Sequence, residues 1–130
     1  MPERTQRLIV VPELVDQLLY HDLSRTELEI GPLNRYMDRS LVQEADTTML
    51  VREVKGVFPE YKPHVEPHIH DVSEIYGIIG DLTVEVILEG ERHRVRGPVC
   101  IFVPAGMMHA IHYVEGSGYL VAVLRKGMYE

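Results

Sequence analysis

The stretch Glu66 to Gly80, "EPHIHDVSEIYGIIG", decides how the rest of the chain is read. His68 and His70 stand two apart, and Glu74 follows four residues after the second histidine. Side chains alternate faces along an extended strand, so the two imidazoles point the same way and lie close enough to share one ion. The "DVS" segment reads as a bend, and Glu74 opens the next strand, from which its carboxylate can fold back toward the pair. Two histidines and a carboxylate on one side of a metal leave coordination positions free for a reactant. His64 and Glu66 share the parity of the pair, but Pro63 and Pro67 interrupt the strand, and neither is taken as a ligand.

A second element points the same way. In "GPVCIFVPAGMMHAIH", residues 97 to 112, His109 comes three residues after a Pro104-x-Gly106 turn, at the start of a strand from which it can reach the same ion. Met107 and Ile111 keep the parity of His109 and read as apolar pocket walls, whereas His112 should face away. Met107 and Met108 read as packing residues rather than soft ligands.

Outward from these elements the chain is a series of short strands divided by turn residues, the pattern of an all-β sandwich or barrel. Strands are read at 48–57, 64–70 and "EIYGII", then after "GD" at "LTVEVIL", where Leu82, Val84, Val86 and Leu88 alternate with Thr83, Glu85 and Ile87. "EGER" is a hairpin turn, and "HRVR", "VCIFVP", "MHAIHYV" and "YLVAVL" complete the set. Residues 12–23, "PELVDQLLYHDL", place apolar side chains at 14, 15, 18, 19 and 23 behind a proline suited to a first helical turn, which predicts a short amphipathic helix. Residues 28–45 mix Gly, Pro and charge and read as loop and edge strand.

Composition narrows the classes. At 130 residues the chain is long enough to bury a core as one domain without staples. Its 13 Lys and Arg against 20 Asp and Glu leave a net charge of −7, which opposes the clustered positive charge that nucleic-acid binding needs. No apolar run approaches the ~20 residues of a membrane span, and four apolar residues before Pro12 fall short of a signal-peptide core. The single cysteine, Cys100, lies in the apolar run "VCIFVP" and reads as a small buried thiol, consistent with a reducing cytoplasm.

These residues resemble the cupins, whose first motif has the form G-x5-H-x-H-x3,4-E-x6-G and whose second is G-x5-P-x-G-x2-H-x3-N. "HIHDVSE" with Gly80 matches the first from His68 onward, with five residues rather than six between Glu74 and the glycine, and with Lys62 in place of the leading glycine. "GPVCIFVPAGMMHAIHY" matches the second, with six residues rather than five before Pro104 and Tyr113 in place of asparagine. The departures lie outside the four ligand positions, which are filled by His68, His70, Glu74 and His109.

The resemblance covers about residues 46 to 124 and implies a double-stranded β-helix, a jelly-roll barrel over residues 46–130 with one divalent metal in its mouth. Residues 1–45 would be an extension packing on the barrel or on a homodimer partner. Iron(II) or manganese(II) is the metal expected first, with nickel, cobalt and zinc open. It also implies an enzyme acting on a small molecule that chelates the metal: a dioxygenase-type oxidoreductase first, or an isomerase, epimerase or lyase using the metal as a Lewis acid. The alternative is a non-catalytic small-molecule-binding module. Tyr76, two residues past Glu74, is the candidate acid or base. Arg52, on the preceding strand, is the candidate for holding a substrate carboxylate, a role that requires it to point inward.

Overall fold

The computed structural model describes residues 5–15, 18, 30–57 and 67–130. Among the described residues nine strands follow one another: β1 (Glu13–Leu14), β2 (Leu33–Met37), β3 (Thr48–Val54), β4 (Glu74–Ile79), β5 (Leu82–Leu88), β6 (Glu91–Arg96), β7 (Val99–Val103), β8 (His109–Gly116) and β9 (Gly118–Leu124). They form two antiparallel sheets. One has the order β1-β2-β3-β9-β4-β7 and the other β6-β5-β8.

Turn chemistry explains the joints. Glu89 and Gly90 both take positive φ, 49° and 83°, the combination that lets a two-residue turn follow the strand twist, and β5 and β6 pair across it from Leu88 and Glu91 outward. At Gly80 and Asp81 the chain instead leaves one sheet for the other, since β4 pairs with β7 and β9 while β5 pairs with β6 and β8.

Between the sheets lies one apolar core. Val54, Tyr76, Ile78, Leu82, Val84, Val86, Ile101, Val103, Ile111, Tyr113 and Leu120 are all buried in it. Strand parity sets this directly: in β4 the residues Glu74, Tyr76 and Ile78 face in while Ile75 and Ile79 face out. A smaller cluster of Val15, Leu33 and Leu50 packs beside it.

Two expectations are corrected here. Within the span predicted to be helical, Glu13–Leu14 is strand β1 and Leu18 forms a single bridge, while residues 16, 17 and 19–23 lie outside the described residues. The reason is long-range pairing: Glu13 and Leu14 sit opposite Arg35 and Asn34, and the Val15 amide donates to the Leu33 carbonyl at 2.9 Å. Cys100 is exposed rather than buried. It lies on β7, where Ile101 and Val103 take the inner face and leave Cys100 and Phe102 on the outer one.

β1 and β2 extend the larger sheet beyond β3, so the segment before residue 46 contributes strands to the same sheet as the barrel. Of the strand read at 64–70, residues 64–66 lie outside the described residues, and His68 makes one isolated bridge, to His109.

Candidate metal centre

The two motif segments are clamped together by backbone. His68 and His109 exchange both amide hydrogen bonds, at 3.0 and 2.9 Å, which makes them a directly opposed antiparallel pair. The Gly106 amide donates to the His70 carbonyl at 2.8 Å, tying the second histidine to the Pro104–Gly106 turn. That turn closes with Met107 N to Pro104 O at 3.2 Å and places Gly106 at φ +82°, a conformation in which glycine avoids a Cβ clash. Each side of the site thus holds the other in register.

On this frame His68, His70 and His109 are all buried, and each turns a ring nitrogen to a common point, the three nitrogens lying within 4.8 Å of one another. Ile69, between the first two, is exposed, as extended alternation requires. Glu74 arrives from the first residue of β4 with its Oε1 3.1 Å from His109 Nε2 and 3.6 Å from His70 Nε2. The carboxylate therefore lies against two of the three rings.

The hydrogen bonds on the outer side of the rings fix which nitrogens face inward. His109 Nδ1 donates to the Met107 carbonyl at 3.0 Å, and His70 Nδ1 donates to the Glu130 carbonyl. Each of these rings then presents its Nε2 as a lone pair, as a metal ligand must. His70 Nε2, His109 Nε2 and Glu74 Oε1 are buried and have no hydrogen-bond partner. Three convergent acceptors without a donor are what a cation would satisfy, and three imidazoles with one carboxylate suit a divalent transition metal. Burial pushes the His109 pKa down; Glu74 and the Met107 carbonyl more than restore it, leaving it raised.

Two tyrosines complete the centre. Tyr76 is buried on β4 with its ring 6.0 Å from that of His109. Burial first, and the Glu74 charge second, push its pKa well above the ordinary tyrosine value, so its hydroxyl stays protonated. Tyr129 was not legible as a site residue, since it follows the last strand in a short polar segment. Its hydroxyl lies 2.9 Å from His68 Nε2, and its ring packs 4.8 Å from that of His70.

A cavity of about 50 Å³ adjoins the centre, lined by Leu18, Leu33, Leu50, Arg52, Glu74, Tyr76, Ile111, Tyr113, Leu120, Ala122 and Tyr129. Arg52 and Ile111 therefore both face it. Met107 does not line it; it is partly buried and packs against the core. His112 turns away from the triad, with Nδ1 4.0 Å from Glu85 Oε1. Tyr113, at the position where the motif has asparagine, is buried, and burial raises its pKa against the opposing charge of Arg52. Leu18, Leu50 and Tyr129 also line an open cleft of about 580 Å³, so Tyr129 borders both spaces.

No family model matches the chain, and no curated protein matches its sequence. Solved structures do match its fold. KdgF from Halomonas sp. superposes with a TM-score of 0.55 at 16% identity, over 76% of this chain and 80% of that one. An RmlC-like cupin from Shewanella frigidimarina gives 0.51 at 15% identity, over 75% and 78%. An S161A mutant of oxalate decarboxylase OxdC from Bacillus subtilis gives 0.54 at 18% identity, over 78% of this chain but 27% of that longer one. Two antiparallel sheets around a buried histidine triad, and these likenesses, give the chain the cupin fold.

Proposed function

We propose that the chain is a mononuclear metal-dependent enzyme acting on a small organic molecule that chelates the metal. The observation that supports it is the convergence of unpartnered lone pairs from His70, His109 and Glu74, with His68 beside them, on the edge of a small, largely apolar cavity. His68, His70, Glu74 and His109 are the residues that would hold the ion. A divalent metal there supplies Lewis-acid polarisation of a bound oxygen and, if redox-active, electron transfer to O2. Iron(II) or manganese(II) is proposed first, with nickel(II), cobalt(II) and zinc(II) as the other members of the set that this donor group suits. Four filled ligand positions argue against the non-catalytic module.

Within the enzyme class, dioxygenase-type oxidation is the reading for a redox metal. A second reading, Lewis-acid lyase or isomerase chemistry, is favoured by Tyr129. Its hydroxyl reaches His68 Nε2, so it stands where it can give a proton to, or take one from, a molecule bound at the triad. The protonated Tyr76 is proposed as a hydrogen-bond donor beside Glu74 rather than as the base. Leu33, Leu50, Ile111 and Ala122 exclude water from the apolar side of the cavity. That one fold neighbour is named a decarboxylase is compatible with the second reading.

The two readings separate in one experiment on chain reconstituted with manganese or iron. If the second holds, a substrate found by screening is consumed without O2 uptake, and Tyr129→Phe lowers kcat about 100- to 10,000-fold while metal content stays unchanged. Stoichiometric O2 uptake with full activity in Tyr129→Phe would leave the oxidative reading instead. A homodimer and a cytoplasmic location are proposed on the resemblance and on the lone cysteine; a monomeric mass in light scattering would set the dimer aside.

A further inference from the structure

The cavity beside the triad holds a positive charge that nothing among the described residues neutralises. Arg52 lies within β3, where Thr48, Leu50, Arg52 and Val54 face inward. Only 4% of it is exposed, and its Nε and Nη1 have no hydrogen-bond partner. It makes no ion pair with any described residue. Glu74, the other charged group on the cavity wall, lies instead against His70 and His109.

An ionised group out of water is strongly unfavourable unless it is paired. A lysine could shed its proton in such a place; a guanidinium cannot. Leu33, Leu50, Ile111, Leu120 and Ala122 offer no acceptor side chain, and although the hydroxyls of Tyr76, Tyr113 and Tyr129 share the lining, Arg52 Nε and Nη1 donate to none of them. Buried N–H donors aimed into a cavity mark a place for an acceptor that arrives from outside.

We propose that this cavity takes a short aliphatic carboxylate, its carboxyl group on Arg52 and a second oxygen directed to the metal centre. This rests on the reading of the triad as a metal site and names the substrate class for it. The planar guanidinium matches a carboxylate with two parallel hydrogen bonds. The apolar walls suit a hydrocarbon body, and about 50 Å³ accommodates roughly three to five water-sized groups, close to the non-hydrogen atoms of a two- to three-carbon acid. Binding joins one anion to one buried cation, so it gives the Arg52 guanidinium the partner that its Nε and Nη1 lack in the free protein.

The test uses thermal melting and calorimetry on the full chain, metal-loaded and metal-free, with lactate and propionate as probes and lactamide and propionamide as their neutral counterparts. Lactate and propionate are expected to raise the melting temperature and the amides to leave it unchanged. Arg52→Met should melt above the wild type when no anion is present, because it removes an unpaired charge. It should bind the acids about 10- to 100-fold more weakly, the range for a lost charged hydrogen bond, while metal per chain is unchanged. Arg52→Lys keeps a charge without the planar fork, and should fall between the two even if the methionine variant does not fold.

Amides that bind as well as acids would overturn the proposal, as would an Arg52→Met or Arg52→Lys variant with wild-type affinity for lactate. A chain that binds lactate through Arg52 but takes up no metal would leave the anion site standing and remove the metal reading alone. A metal-loaded chain indifferent to every acid would do the reverse.

Discussion

Replacing His109 by alanine is expected to lower bound metal from near one ion per chain to below about a tenth, since loss of even an outer hydrogen-bond partner commonly costs ~10- to 100-fold in affinity. The effect should be large because His109 has two roles in the site. Its Nε2 supplies a lone pair 3.1 Å from Glu74 Oε1, and its backbone opposes His68 in the paired bridge that positions the first motif. The alanine variant keeps the backbone hydrogen bonds, so the loss reads the ring alone. His70→Ala should behave alike, because His70 also presents an unpartnered Nε2 and is anchored by the Glu130 carbonyl on its other nitrogen. Metal analysis after gel filtration checks both. Full occupancy in both variants would mean that the ion, if any, sits elsewhere.

Stripping the metal with a chelator is expected to lower the melting temperature by about 10 °C. The reasoning is linkage: an ion that binds only the folded chain at 100 times its Kd stabilises by about 2.7 kcal/mol. For a domain of this size that corresponds to a few degrees per kcal/mol. The unfolded chain has no such site, because its ligands come from 68–74 and from 109, segments that the folded chain joins through the His68–His109 bridge and the Gly106–His70 hydrogen bond. Calorimetric scans before and after chelation, with re-addition of metal, measure the shift. An unchanged melting curve on proven metal loss would show an ion uncoupled from folding.

Much of the fold was legible, and the residues show why. Glu74, Tyr76 and Ile78 alternate against Ile75 and Ile79, and the rigid period of two makes such a strand readable without any partner. The spacing of His68 and His70 carried the site for the same reason. Parity failed where both faces of a strand are apolar. In β3, Met49 and Val51 are as apolar as Leu50, so the inward direction of Arg52 appears only once β9 is paired opposite it. In β7, Phe102 and Cys100 face out while Ile101 and Val103 face in, and composition alone does not distinguish them.

Long-range pairing hid the rest. The apolar spacing after Pro12 fits a helix locally, yet the acceptor of the Val15 amide is Leu33, far along the chain, and no local period registers it. Tyr129 follows the last strand and belongs to no periodic element; it reaches His68 only because the segment after β9 folds back over the triad. The fold's framework is thus written in local alternation, whereas the occupants of the cavity are set by which strands meet.

The central claim is that His68, His70, Glu74 and His109 hold one divalent metal. The measurement that tests it most directly is elemental analysis of untagged protein purified without chelator, with iron, manganese, nickel, cobalt and zinc counted together per chain. The expected result is close to one ion per chain in the wild type, all of it lost on chelation and regained on adding metal. A chain that carries no metal as purified and takes up none on reconstitution would contradict the account.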